Sequence, residues 1–362
     1  MDAVSATTLL QSLAAFAVAG VISLVLTPLA IRAALRLGVL DRPGEHKSHS
    51  TPTPYLGGVA IVVAVTLAIV LAAVVRGEEL ATLTQLLGLL GIALTMALTG
   101  LVDDLRGLPV ALRFGLQFAA ALGLWALGIR VELTGVLALD LGITVVWTVG
   151  ITNALNLLDN MDGLSASTAT IASLWFGVIA LVNGQVLVGA LAFAVAGAAA
   201  GFLRDNRPPA RIYMGDAGSL FLGVMLAALG MQLSLGRDWL ITAAVPVLIL
   251  TVPVLDTLLV TVARIRHGIS PFQGGRDHTS HRLVRVGLPV PVAVGLIAIA
   301  SLAHGWVALL VFRIDTTSAV LLLGLTALFD LFFFALLAKV PVYDNSRGRD
   351  LFIGERERRR DA

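Results

Sequence analysis

Residues 82–107 read TLTQLLGLLGIALTMALTGLVDDLRG. The run 82–102 carries no charge, and Asp103, Asp104 and Arg106 then follow at once. A hydrocarbon core about 30 Å thick is crossed by roughly 20 apolar residues in helical form, so this run predicts a membrane-spanning helix that ends on two carboxylates. Comparable runs recur along the chain, at 7–33, 57–75, 110–129, 142–158, 165–182, 185–203, 218–235, 239–262, 289–312 and 317–339. The expected fold is an all-α integral membrane protein, a polytopic bundle of about 11 transmembrane helices. The composition agrees: 57% of the 362 residues are hydrophobic and 13% charged, which excludes a water-soluble globule. There is no cysteine, so disulfides, thiolate metal sites and a cysteine nucleophile are excluded too. The apolar start lacks the basic region of a cleavable signal and reads as a retained first helix.

Orientation follows from the basic residues. With the N-terminus outside, one set of loops and the C-terminus hold 21 of the 25 lysines and arginines, and only Arg76, Arg130, Arg237 and Arg313 fall on the other side. The crowded side is the cytoplasmic one by the positive-inside rule, which puts the C-terminus in the cytoplasm. Residues 1–340 are read as a single transmembrane catalytic domain and 341–362 as a basic cytoplasmic tail whose RERRR run suits either a topology anchor or anionic headgroups. On the outer side, Arg130–Leu141 alternates apolar and polar residues and predicts a small hairpin.

Ionisable and amide groups in membrane helices mark function, and here they gather at cytoplasmic span ends. Asp103 and Asp104 project in different directions, so one suits a metal and the other a proton; a solvated helix end is the alternative. In TNALNLLDNMDGLS, residues 152–165, Asn153, Asn156, Asp159 and Asp162 recur every third residue and form one polar stripe if the helix persists. Such a stripe suits a diphosphate, a ribose or a base, and otherwise interhelical glue. In RDNRPPARIYMGDAGSLFLG, residues 204–223, Asp216 lies between Gly215 and Gly218 before a helix, an arrangement for an anion and a metal or simply a capped turn. The longest cytoplasmic loop brings His278 and His281 near Arg276 and Arg282, donors suited to phosphate oxygens, with zinc as the rival use of the histidines. Asp256 is placed to pair with one of these basic groups or within the bundle. Lys47, in the first loop, suits a phosphate or acts only as a positive-inside lysine. Pro246, Pro253 and Asp256 interrupt the span at 239–262, where splayed helices predict a groove for a lipid tail.

Five separated blocks, KSHSTPTPYLGG, VDDLRG, NALNLLDNMDGL, NRPPARIYMGDAGSLFLG and RDHTSHRL, resemble the polyprenyl-phosphate N-acetylhexosamine-1-phosphate transferase superfamily of the glycosyltransferase 4 type, over nearly the whole chain. The branch that makes polyprenyl-diphospho-GlcNAc is the most similar. The resemblance implies transfer of a sugar-1-phosphate from a UDP-N-acetylhexosamine to polyprenyl phosphate with release of UMP, at the cytoplasmic face of a bacterial inner membrane. It implies Mg2+ (or Mn2+) as cofactor, with Asp216, Asp103 and Asn156 as the metal set. Asp103, Asp104, His278 and His281 become the catalytic group. Lys47, Asn153, Asn156, Asp159, Asp162, Asn206, Tyr213, Arg276 and Arg282 become substrate contacts, with Tyr213 stacking on uracil. Partners are the two substrates and membrane lipids, with no nucleic acid and a homodimer left open. Two positions depart from the family pattern. Asn160 stands where glycine is usual, as a residue tolerant of left-handed backbone. Ser280 stands where a further histidine is often found, which separates the chain from the phospho-MurNAc-pentapeptide branch. That branch remains one alternative reading, and a secondary transporter is the other.

Overall fold

The computed structural model describes residues 5–41, 52–76, 79–344 and 351–352. Helix α1 (Ala6–Leu37) opens on Ser5, whose hydroxyl accepts from the Thr8 N–H, and closes on Gly38 at φ 71°. A two-residue strand β1 (Leu40–Asp41) pairs antiparallel with β2 (Thr53–Pro54). There follow α2 (Gly57–Arg76), α3 (Leu80–Arg106), α4 (Val110–Ala126), α5 (Leu137–Leu158), α6 (Leu164–Val182), α7 (Val186–Asn206) and α8 (Gly215–Gln232). The chain continues through α9 (Trp239–Ile249), α10 (Thr251–Arg266), the short α11 (Thr279–Arg285), α12 (Val290–Arg313) and α13 (Thr316–Ala338), and a second small ribbon pairs β3 (Tyr343–Asp344) with β4 (Leu351–Phe352).

Among the described residues nine helices are long and apolar enough to cross a membrane. Two further runs of the sequence reading take another form. The span expected at 239–262 is broken, α9 and α10 meeting at 77° around Leu250, and α4 is a shorter apolar helix of 17 residues. The protein is therefore a multi-pass, all-helical membrane protein. The hairpin expected at Arg130–Leu141 does not form. Leu137 and Leu139 lie in the first turns of α5, and Asp140 accepts hydrogen bonds from the Leu133 and Thr134 N–H groups, so a capped turn satisfies the backbone that a ribbon would have paired.

Helix α8 is the axis of the bundle, buried continuously from Ala217 to Gly230. Helix α13 buries only Ala319 and shows its side chains to the surroundings. In lipid this is the expected sorting: an outer helix is mostly apolar, its one carboxylate Asp330 turned to His304 of α12, whereas a central one takes glycine, serine and aspartate because neighbouring helices satisfy them. Close approach to α8 depends on small residues. A Cβ on Gly100 would run into the Asp216 backbone, and one on Gly58 into that of Gly218, so α3 and α2 reach the start of α8 only because both are glycine.

Candidate active site

The contact at Gly100 brings the end of α3 onto the first turn of α8. Asp104 turns its carboxylate to the α8 N-terminus and accepts from the Asp216 N–H at 3.1 Å and the Ala217 N–H at 3.3 Å. Asp103 points elsewhere: it accepts from the Leu108 N–H at 2.6 Å and pairs with Arg113 at 2.7 Å. Adjacent carboxylates thus take separate tasks, one bracing the turn after α3 and the other facing the cavity. Asp216 accepts from the Asn156 amide at 2.8 Å, and the same amide nitrogen reaches the Ser219 hydroxyl at 2.9 Å. Arg113 lies 3.8 Å from the other Asp216 oxygen, and the Asp103 side chain also reaches that carboxylate.

A cavity of about 490 Å3 opens beside this junction, lined by Asp41, Tyr55, Asp104, Asp159, Asn160, Met161, Asp162, Asn206, Tyr213, Gly215, Asp216, Gly275, Arg276 and His281. Its acidic floor comes from the α5–α6 turn. The polar stripe read from the sequence is divided here, because α5 stops at Leu158 and Asp159 leaves helical geometry as its cap. Asn153 stays on the helix and bonds Gln117, away from the cavity, while Asp159 and Asp162 turn into it. Gly163, at φ 75°, makes the left-handed step into α6, so the conformation expected of Asn160 falls to a glycine three residues on. Asn206 locks this turn to the next loop, accepting from the Gly163 N–H and donating to the Ile212 carbonyl, and Asp162 accepts from the Ala210 N–H at 2.8 Å.

Burial and the charges of Asp216, Asp104 and Asp162 push Asp159 up to about 8. Burial raises Tyr213 to about 12, so its phenol is neutral at any physiological pH. Tyr213 is held by backbone on both sides, its N–H donating to the Pro54 carbonyl and its carbonyl accepting from the Gly57 N–H. Tyr55, in the same segment, donates its hydroxyl to the Asp104 carbonyl.

The opposite wall is the loop between α10 and α12. Arg264 grips Asp277 through two bonds of 2.9 and 2.7 Å, both side chains fully buried, and Tyr343 donates its phenol to the same carboxylate. Burial pushes Asp277 upward, but Arg264 and Tyr343 outweigh it and hold the carboxyl below the usual range. His278 is 3% exposed and meets Asp256 at 2.7 Å, while the other Asp256 oxygen accepts from the Thr279 N–H. Arg282 is buried as well and donates to the carbonyls of Asp277, Leu337 and Val340. His281 and Arg276 face the cavity. Burial first, then His278 and Arg276, depress His281 to about 4, leaving a neutral imidazole whose buried Nδ1 has no hydrogen-bond partner among the described residues.

Of the residues singled out in the sequence, the cavity gathers Asp104, Asp159, Asp162, Asn206, Tyr213, Asp216, Arg276 and His281. Asn156 stands directly behind Asp216, Asp103 lies against the Asp216 carboxylate with Arg113 shared between the two, and Asn153, His278 and Arg282 sit in the supporting structure. Lys47 lies outside the described residues. Asp41 and Tyr55 line the cavity without having been singled out. Tyr55 had a signal, an aromatic two residues before the Gly57-Gly58 opening of a span; Asp41 looked like any charge after a helix.

The cavity is thus rich in carboxylates, lies at helix ends of a multi-pass bundle, and is walled by an arginine and a neutral histidine. Residues 86–234 match the profile of glycosyl transferase family 4. The chain is 32% identical over 289 residues to the probable undecaprenyl-phosphate N-acetylglucosaminyl 1-phosphate transferase of Bacillus subtilis, covering 77% of this chain and 79% of that one. It is 35% identical over 288 residues to the decaprenyl-phosphate N-acetylglucosaminephosphotransferase of Mycobacterium tuberculosis, covering 70% and 71%. A phospho-N-acetylmuramoyl-pentapeptide-transferase of Streptococcus equi subsp. zooepidemicus shares 33% over 252 residues, covering 61% and 73%. The chain belongs to glycosyl transferase family 4.

Proposed function

We propose that this enzyme transfers N-acetylglucosamine-1-phosphate from UDP-GlcNAc to a polyprenyl phosphate, giving polyprenyl-diphospho-GlcNAc and UMP, at the cytoplasmic face of a bacterial inner membrane. The observation that carries the reading is the junction of Asp104, Asp159 and Asp216 at span ends, where a water-soluble nucleotide and a lipid-bound acceptor can meet. An oxygen of the lipid phosphate attacks the β-phosphorus, the bond from that phosphorus to the bridging oxygen breaks, and UMP leaves with the bridging oxygen. The acceptor's second pKa is near 6, so it is largely a dianion at neutral pH and needs little help from a base. Catalysis is then mainly positioning and charge neutralisation.

The donor chemistry of the cavity, carboxylate and amide oxygens without thiolates, fits a hard divalent cation such as Mg2+. Among the described residues no three histidine or carboxylate side chains stand together as a cage. Mg2+ commonly needs only one or two carboxylates and takes further ligands from substrate phosphates, so the residues fit. Asp216 would hold it, with Asp103 and Asp104 close by and the Asn156 amide orienting Asp216. When bound, the ion supplies charge neutralisation for the diphosphate and the departing UMP. Arg276 and neutral His281 offer donors to phosphate oxygens from the far wall, Tyr213 offers a face to the uracil, and Asp162 and Asn206 hold that part of the wall in shape. His278, oriented by Asp256, acts on the position of His281. The bend between α9 and α10 opens the groove for the prenyl tail.

The test is UMP release by purified protein given UDP-N-acetylsugars, polyprenyl phosphate and Mg2+. Release with UDP-GlcNAc, dependent on both lipid and ion, is expected. Absence of release with every UDP-N-acetylsugar overturns the reading, and release only with the UDP-MurNAc-pentapeptide moves the chain to the other branch.

A further inference from the structure

Asn160 and Ser280, 120 residues apart in the sequence, touch. The Ser280 hydroxyl donates to the Asn160 Oδ1 at 2.6 Å. Asn160 has its amide nitrogen engaged with the Leu157 carbonyl at 2.7 Å, which turns its oxygen toward the serine. Ser280 is 1% exposed, and Asn160 lines the cavity. The bond makes the two side chains a single feature.

Position gives that feature its meaning. On one side the histidine loop is anchored to α10 by Arg264 and Asp256 and to the end of α13 by Arg282. The Ser280–Asn160 bond pulls the same loop the other way, onto the α5–α6 turn. Its partners in sequence are cavity residues, Asp159 and Met161 beside Asn160 and His281 beside Ser280. The bond therefore spans the two walls and governs their separation.

We propose that Ser280 and Asn160 are positioning residues forming a latch that holds the histidine loop over the acidic turn and so sets the affinity of the cavity for its nucleotide-sugar. This rests on the transferase reading. A single neutral hydrogen bond contributes too little to hold the loop folded against the ion pairs behind it, yet enough to shift a binding constant about fivefold. The latch accordingly acts on binding and leaves the transfer step nearly untouched.

The test uses the full chain in nanodiscs as wild type, Ser280→Ala, Asn160→Ala, the double variant and Ser280→Thr. Asn160 is not at positive φ, so alanine fits its backbone. The latch predicts a KM for UDP-GlcNAc raised about fivefold in each alanine variant with kcat within about twofold. The double variant should be no worse than either single one, and threonine, which keeps the hydroxyl, should stay near wild type. Unchanged KM in both single variants, or effects that multiply in the double one, overturns the latch. Hydrogen exchange of residues 277–285 decides independently of turnover. Faster exchange in each single variant with no further gain in the double one supports the latch, and wild-type protection in both overturns it. A wild-type protein that releases no UMP would defeat the functional reading while leaving this second measurement to judge the latch.

Discussion

The two walls of the cavity are built on opposite electrostatic plans. The acidic wall crowds Asp104, Asp159, Asp162 and Asp216 together, with backbone N–H groups and the Asn156 amide as their chief partners and Arg113 at 3.8 Å from Asp216. The histidine wall pairs its polar groups internally: Arg264 with Asp277, Asp256 with His278, Arg282 with carbonyl oxygens. Charge left poorly compensated at a cavity surface is held ready for a ligand; charge compensated in the interior makes a scaffold. The acidic wall should therefore tolerate neutral substitutions in stability while losing activity, and the histidine wall should do the reverse.

The largest expected effect is on the acidic wall. Asp216→Asn keeps an acceptor for Asn156 but removes the charge, and UMP release should fall by about 10^3-fold or more with an unchanged melting curve. Substantial turnover in this variant would remove Asp216 from the chemistry. On the other wall, Arg264→Met leaves Asp277 buried without its partner and should cost about 3–5 kcal/mol, read as a lowered thermal midpoint in detergent. A midpoint equal to wild type would show that the loop does not depend on the pair. Within the acidic wall, Gly100→Ala forces α3 away from the Asp216 backbone, costing about 1–3 kcal/mol and separating Asp104 from α8. Retained stability and turnover would mean that the close approach is dispensable.

The smallest effect is on pH dependence, and the walls should differ in sign. Asp159 is raised to about 8, so the stability it contributes is full at low pH and declines as pH rises through about 8. His281 is lowered to about 4, so its contribution is full above the ordinary histidine range and is lost as pH falls from there through about 4. Thermal midpoints of metal-free protein across pH 3 to 9 check both: Asp159→Asn should remove the loss of stability between about pH 4 and 8, and His281→Gln the loss on acidification from about pH 6.5 to 4. A profile indifferent to both substitutions would show that neither group titrates as its surroundings demand.

Most spans were legible in the sequence because apolar runs bounded by charges depend on local composition and on the bilayer thickness. The break at Leu250 was only half legible. Pro246 and Pro253 signalled an interruption, but a 77° bend depends on what packs on either side. Motif residues of the acidic wall were legible because carboxylates and amides at span ends are conspicuous in apolar sequence. The division of labour was not. Asp103 and Asp104 are indistinguishable as neighbours, and only the approach of α8 at Gly100 turns one to a cavity and the other to Arg113. Likewise His278 and His281 read as one pair, until Asp256 draws the first into the interior and leaves the second at the cavity.

The sequence by itself determined a helical membrane protein with a polar site at its span ends, because burying charge in lipid is costly enough to confine such residues to a few places. Tertiary structure alone decided which of those residues line the cavity, which face each other, and that Asn160 and Ser280 meet. A hydrogen bond across 120 residues is invisible to any local pattern, since it exists only where the packing of whole helices brings its two ends within reach.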